Sequence, residues 1–378
     1  MDFKALLEMM VQKKGSDLFI TAGKAPVIKI DGRLHEVSQI KLTADQALQV
    51  VMGVMNQKQR DEFEHTKECN FAISVPKLGR FRVSAFTQRD AAGMVLRRIE
   101  SEIPDAESLH LPPVLKDLIM HKRGLVIFVG ATGTGKSTSL AALIKYRNQN
   151  SSGHIITIED PIEFIHPHLG CIITQREVGI DTESYEVALK NTLRQAPDVI
   201  LIGEIRTRET MQYAITFAET GHLCLSTLHA NNANQALDRI LHFFPEDMHS
   251  QLFMDLSLNL RGIVAQQLIK RADGKGRYPA VEVLLNTPLV SDLIRKGEVH
   301  KLKELMKNSR EHGMQTFDQA LYDLYVAGKI SYEDALNAAD SRNEVRLMIK
   351  LGAETSAFAH QDESMMLQET EDDQTRRF

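Results

Sequence analysis

Two kinds of apolar patterning divide the chain. Through roughly the first hundred residues apolar and polar positions alternate in short runs, the period of a strand with one buried face. The runs Asp17-Leu18-Phe19-Ile20-Thr21 and Val27-Ile28-Lys29-Ile30 read as strands, with a turn at Gly23-Lys24-Ala25-Pro26 between them. Asp31-Gly32 after the second run is a hairpin signal. Residues 68–73, 79–86 and 92–99 alternate in the same way. Thr43 is placed to cap a helix running to residue 56, residues 58–64 predict another, and residues 1–10 read as an amphipathic helix. Hairpins with a few helices make an α+β module.

After that module the pattern changes. Leu125-Val126-Ile127-Phe128-Val129, residues 155–158, residues 171–174, Val199-Ile200-Leu201-Ile202 and residues 223–226 are unbroken apolar runs. Such runs mark strands buried on both faces. Helical stretches at 185–195, 208–219 and 233–242 alternate with them, which predicts an α/β sheet with mostly parallel strands. Residues 114–121 read as a short helix leading into the first of these strands, and residues 246–270, 287–308 and 314–351 as wholly helical, a cap or bundle on the sheet. The expected organisation is a first domain at 1–100, a hinge-like linker at 101–113 carrying Pro104, Pro112 and Pro113, an α/β domain at 114–352, and an acidic disordered tail at 353–378.

Composition narrows the classes. With 378 residues, 43% of them hydrophobic and 25% charged, the chain can build two or three folded domains. No apolar run approaches the about 18 residues that span a bilayer, and the acid-bearing start lacks a signal-peptide core. The net charge is −5, and the tail alone holds seven acids against two arginines, so the rest of the chain is neutral. That balance argues against a polyanion-binding surface as the main business. Cys69, Cys171 and Cys224 form no C-x-x-C, so no disulfide or zinc framework is expected, and each reads as a small buried residue in a reducing compartment.

The chemistry concentrates at Gly130-Ala131-Thr132-Gly133-Thr134-Gly135-Lys136-Ser137, which fits G-x-x-x-x-G-K-[ST] between a predicted strand and a predicted helix. Glycines let backbone N–H groups turn toward phosphate oxygens, and the helix N-terminus adds free donors and a partial positive charge. Lys136 is placed for the β- and γ-phosphates and Ser137 for Mg²⁺. Val199-Ile200-Leu201-Ile202-Gly203-Glu204 ends a buried strand in an acid that can orient the metal, with Gly203 where an Asp is usual. Glu159, Asp160 and Glu163 follow another strand, either as acceptors of a proton from attacking water or as a solvated acidic loop. His222 and His229 bracket a strand and are read either as γ-phosphate contacts or as structural histidines. Arg80, Arg82, Arg97 and Arg98 of the first domain, and Arg194, Arg206 and Arg208 near the metal strand, are either arginines of the kind supplied to phosphoryl transfer or surface ion pairs.

Together these motifs resemble the secretion ATPases of the type II/type IV kind, and within them the type IV pilus retraction ATPases of the PilT/PilU branch. The resemblance is carried by the P-loop through Thr138, by Thr157-Ile158-Glu159-Asp160-Pro161-Ile162-Glu163-Phe164, by residues 194–206, and by Thr220-Gly221-His222 with Ser226-Thr227-Leu228-His229. Gly15-Ser16-Asp17-Leu18 and Gly79-Arg80-Phe81-Arg82-Val83 extend it through the first domain. It implies a PAS-like N-terminal domain, a RecA-like P-loop ATPase domain with a helical C-terminal part, and a homohexamer that binds ATP and Mg²⁺. It further implies that Gly130, Thr132, Gly133, Thr134, Gly135, Lys136, Ser137 and Thr138 hold nucleotide, and that Ser137 and Glu204 serve the metal. Glu163 corresponds to the family's catalytic glutamate, His222 and His229 to its γ-phosphate sensors, and Arg82 and Arg97 to first-domain arginines that reach nucleotide in cis or from a neighbour. The implied setting is cytoplasmic, peripheral to the inner membrane at the pilus base, with a PilT-like paralogue and an inner-membrane platform protein as partners and no nucleic acid.

Two departures refine the branch. The missing C-x-x-C is unlike assembly ATPases and favours retraction. The stretch Leu289-Val290-Ser291-Asp292-Leu293-Ile294-Arg295-Lys296 stands where the branch has Ala-Ile-Arg-Asn-Leu-Ile-Arg-Glu. Its altered first half and the acidic tail favour the PilU-like subgroup, an accessory motor. The rival expectations are a nucleic-acid translocase on the same core and a nucleotide-binding ring subunit with little turnover.

Overall fold

In the computed structural model, residues 2–30, 32–99 and 102–352 are described; the expected tail at 353–378, Asp31 of the hairpin turn and residue 101 of the expected linker lie outside them. The chain forms two compact units, one from Met1–Ile103 with Gly153–Ala196, the other from Pro104–Ser152 with Pro197–Phe378.

The first unit begins with α1 (Phe3–Gln12), started by the Asp2 carboxylate, which accepts from the Lys4 N–H at 2.9 Å. Next come β1 (Asp17–Thr21), β2 (Val27–Ile30), β3 (Arg33–Glu36), α2 (Ala44–Gly53), α3 (Gln57–Thr66), β4 (Glu68–Val75), β5 (Gly79–Gln88) and β6 (Ala91–Arg98). Capping boxes at Thr43/Gln46 and Asn56/Gln59 start α2 and α3. The six strands pair antiparallel in the order β3-β2-β1-β6-β5-β4. Alternation decides which side chains face the core: Phe81, Val83 and Ala85 of β5 are buried beside Met94 and Leu96 of β6. Arg82 and Arg97, opposite each other in register, therefore share the other face.

The chain continues with α4 (Val114–Ile119), β7 (Gly124–Val129) and α5 (Lys136–Asn150) of the second unit. It then returns to the first unit with β8 (Gly153–Glu159), β9 (Cys171–Glu177) and α6 (Tyr185–Thr192), where β8 and β9 pair parallel.

The remainder of the second unit is β10 (Val199–Ile202), α7 (Arg208–Glu219), β11 (Leu223–Leu228), α8 (Ala233–Leu241), α9 (His249–Asn259), β12 (Leu260–Lys270), β13 (Arg277–Leu285), α10 (Pro288–Arg295), α11 (Leu302–Lys307), α12 (Phe317–Val326) and α13 (Tyr332–Ala338). Its strands run β13-β12-β7-β11-β10, parallel except for the β12/β13 pair. Every residue of β7, β10 and β11 is buried, which is why these segments are unbroken apolar runs.

The expectation of an all-helical 246–270 is corrected. The helix stops at Asn259 and the next eleven residues are β12. β12 is buried on both faces over Gly262–Gln266, so it shows no period of two, and residues 246–259 lend it a helical neighbourhood. The stretches at 287–308 and 314–351 are helical, broken into short segments. All three cysteines are buried thiols. No helix among the described residues is long and apolar enough to cross a membrane.

Candidate functional site: a phosphate cradle and two acidic clusters

The glycine-rich loop leaves the C-terminal end of β7, where strand ends of an open parallel sheet offer a crevice. Two glycines there are compulsory. Gly130 has φ 152°, and a Cβ would stand 2.6 Å from the Gln266 carbonyl. Gly135 has φ 87°, and its Cβ would stand 2.8 Å from Gln266 Nε2. The same glutamine braces the loop: Nε2 donates to the Thr134 carbonyl at 2.8 Å, while Oε1 accepts from the Ser139 hydroxyl at 2.8 Å. Gln266 is 2% exposed, so both bonds are shielded from water. Lys136 donates to the carbonyls of Gly130 and Ala131 at 2.7 and 2.9 Å, and Thr134 Oγ1 to Ala131 O at 2.9 Å. Thr132 and Gly133 are exposed at the loop tip, and Ser137 and Thr138 are half-buried on the first turn of α5. A cavity of about 530 Å³ lies beside the loop, bordered by Thr132, His229, Asn231 and Arg239. The bare, backbone-lined curve suits a chain of phosphates.

Glu204 lies just past the end of β10. Its carboxylate accepts from Arg206 Nη2 at 2.7 Å and lies 3.0 Å from His229 Nε2. The strand ends are tied together: Thr227 Oγ1 donates to Gly203 O at 2.6 Å and the Ile205 N–H to Thr227 O at 2.9 Å. The structure thus brings Glu204, Arg206 and His229 together. His222 is not with them. It precedes β11, whose start pairs with Gly124, and hydrogen-bonds Thr220 Oγ1 and Phe217 O at 3.1 and 3.2 Å. Seven residues of strand rise put it about 23 Å from His229, so within a single chain the two histidines stand at opposite ends of β11.

The first unit holds the other acids. Glu159 ends β8, where its carboxylate accepts from Thr157 Oγ1 at 2.6 Å and Gln175 Nε2 at 3.3 Å. Burial, with lesser help from the charges of Glu163 and Glu177, pushes its pKa up to about 7. Glu163 is exposed on the segment that follows. Glu177, at the end of β9, is 1% exposed and 3.8 Å from Arg82 Nε, and burial raises its pKa against the pull of Arg82 and Arg80. Arg80 lies 3.5 Å from Asp181, whose carboxylate also accepts the Glu177 N–H at 3.0 Å. Arg97 donates to the buried Asp17 at 2.8 Å, and Asp17 also accepts from Ser16 Oγ at 2.8 Å. Both candidate arginines are therefore held by carboxylates of their own unit.

A further acid lies in the second unit. Glu282 of β13, 2% exposed, accepts the Ala233 N–H at 2.8 Å and the Phe317 N–H at 3.4 Å, so one carboxylate receives the first turns of both α8 and α12. Burial lifts it to about 7.

Sequence reasoning missed Gln266 and Glu282, and it singled out Glu163 over Glu159 only through the family resemblance. Gln266 lay in the segment misread as helix. An acid inside the apolar run Tyr278–Leu285 was the available signal for Glu282. Among the described residues no three His, Cys, Asp or Glu side chains converge as a metal cage. A magnesium ion does not need one, since it is commonly held by one or two protein oxygens plus phosphates and water. The half-buried Ser137 hydroxyl and the ionisable Glu204 fit that role in donor chemistry.

Comparison with known proteins places these features in context. The pattern of the family described as "Type II/IV secretion system protein" matches residues 2–291. The chain is 66% identical to the Type IV pilus ATPase PilU of Pseudomonas aeruginosa, covering 100% of both chains. It is 40% identical to the PilT retraction ATPase of that organism, over 90% of this chain and 98% of PilT. Among solved structures, the pilus retraction motor PilT with bound ADP superposes with a TM-score of 0.85 at 38% identity, over 91% of this chain and 98% of that one. The Legionella pneumophila ATPase DotB shares the fold, with a TM-score of 0.76 at 24% identity.

Proposed function

The chain belongs to the Type II/IV secretion system protein family, in its PilT/PilU branch of type IV pilus retraction ATPases, and we propose from that premise how its residues turn ATP hydrolysis into retraction. The observation that carries the reading is the braced loop, in which Gln266 holds the Thr134 carbonyl and Ser139 while two positive-φ glycines keep the curve free of side chains. A cradle fixed before substrate arrives costs no reorganisation when charge develops on the phosphates.

In this reading the loop amides of 130–138 and Lys136 bind the β- and γ-phosphates. Ser137 and Glu204 would hold Mg²⁺, which neutralises phosphate charge when bound. Glu163 orients the attacking water, and Glu159, with its pKa near neutrality, receives the proton. His229 is tied to Glu204 and reports the γ-phosphate from within its own chain; His222 does so from the far end of β11, for a neighbouring chain. Arg82 and Arg97 leave their carboxylates to stabilise the transition state, in cis or across a subunit boundary.

The finer organisation belongs to the same proposal: a PAS-like domain at 1–100, a linker at 101–113 that acts as the hinge, and a RecA-like domain at 114–352. The working form is a homohexamer acting as a PilU-like accessory motor beside a PilT-like paralogue, on an inner-membrane platform protein at the pilus base. Support for the subgroup is the 66% identity over the whole chain. The direct test is Lys136→Ala in an ATPase assay with the pure chain. Turnover should fall by about a hundredfold or more, and a wild-type rate would overturn the assignment.

A further inference from the structure

A second cavity, of about 540 Å³, opens at the other end of β7, where the strand begins. His121, Lys122, Arg123 and Arg261 of β12 line it, and Asp117 is the one carboxylate among the described residues that border it. Lys122 and Arg123 are exposed. Arg261 is held in place by donating Nε to Arg123 O at 3.0 Å and Nη1 to Leu260 O at 3.4 Å. Among the described residues none of Lys122, Arg123 and Arg261 forms an ion pair. Burial and the neighbouring Arg123 charge lower the Arg261 pKa, and burial with the Arg261 charge lowers that of His121. Like charges gathered in a concave place repel one another, and an anion seated among them removes that cost.

We propose that this cavity is a carboxylate-binding surface and that its occupant is the acidic segment 353–378 of the same chain. Charge complementarity supports the choice: the segment carries seven acids against two arginines, the whole net charge of −5. Reach supports it too. Gly352 sits against Tyr322 of α12, α12 starts two residues after Gln315, and Gln315 bridges to Val283 of β13, whose last residue Leu285 is on the cavity wall. The 26 residues beyond Gly352 can span on the order of 80 Å, well beyond that path. The site is remote from the loop along β7 and does not depend on the assignment of the nucleotide residues.

The test is carbodiimide cross-linking of the full chain, read by mass spectrometry on peptides containing Lys122. At about 50 mM salt the amide from Lys122 Nζ should join carboxyls of segment 353–378, and raising salt to about 500 mM should cut its yield about tenfold. Arg123→Glu, which leaves Lys122 in place, should lower the yield about fivefold at low salt. Mixed isotope-labelled and unlabelled chains should give links within one chain. Absence of the link, a yield insensitive to salt, or links predominantly between chains would overturn the proposal. The salt series uses the unaltered protein, so it decides even if Arg123→Glu fails to fold.

Discussion

The phosphate cradle of the second unit and the acid cluster of the first differ in how completely their polar groups are matched. Around the loop, Lys136, Thr134, Ser139 and Gln266 are joined by bonds of 2.7–2.9 Å. In the first unit Arg80 Nε, Glu177 Oε2 and His166 Nδ1 are buried without a hydrogen-bond partner, and Glu159 sits near two other carboxylates. A binding surface gains from being finished in advance, because no reorganisation follows. A group that must exchange a proton gains from a pKa near the working pH, and burial beside like charge is how a carboxyl gets there. The two regions use the same elementary interactions to opposite ends.

The strongest way to break the contrast is to disturb the finished side. Gln266→Leu leaves the Thr134 carbonyl and the Ser139 hydroxyl without their partner, at about 1–3 kcal/mol for each group. Equilibrium denaturation should show a loss of about 2–4 kcal/mol, together with weaker nucleotide binding by titration. Unchanged binding would mean that the loop does not need the brace.

The unsettled side is sharpened by Glu159→Gln. The carboxyl is raised from 4.5 to about 7 on folding, so the folded chain keeps a proton that the unfolded chain releases between those values. Its contribution is full below the unfolded value and is lost as pH rises through the folded one. Stability of the wild type should therefore decline from pH 4.5 to 7 relative to the variant, by about 3 kcal/mol. Denaturation midpoints across that range measure it, and parallel curves would remove Glu159 from the argument. The variant should also lose the ionisation near 7 from the pH profile of turnover.

Smaller effects follow at the pairs. Arg97→Ala uncovers the buried Asp17, but the guanidinium is 69% exposed, so screening limits the loss to about 1 kcal/mol. The corresponding change at His222 should be the smallest in stability, within about 0.5 kcal/mol. Single-site comparison of His222→Ala with His229→Ala in a monomeric preparation should leave nucleotide affinity lower only for the second.

Much of this arrangement was legible in the residues. β1, β10 and α7 match their expected bounds, β10 because an unbroken apolar run stops at Gly203-Glu204. The P-loop was legible because its function demands glycine at particular backbone angles. β12 was hidden because Arg261, Gly262, Gln266 and Gln267 interrupt its apolar run and a helix leads straight into it. Gln266 was hidden with it, because bracing is a relation across more than a hundred residues of sequence. Glu159 and Glu163 are equivalent in the motif; burial separates them, and burial is a property of the fold. The seven-residue gap between His222 and His229 did carry the information that they occupy opposite ends of a strand, once that strand is counted out.

The carboxylate of Glu282 gives the helical part a mechanical character. Because one side chain receives the first turns of α8 and α12, neither helix can withdraw alone without leaving a buried acceptor bare. The residue behaves as a rivet through two plates. α8 begins four residues after His229, so the loop that carries the histidine and the start of α12 are linked through a single buried carboxylate.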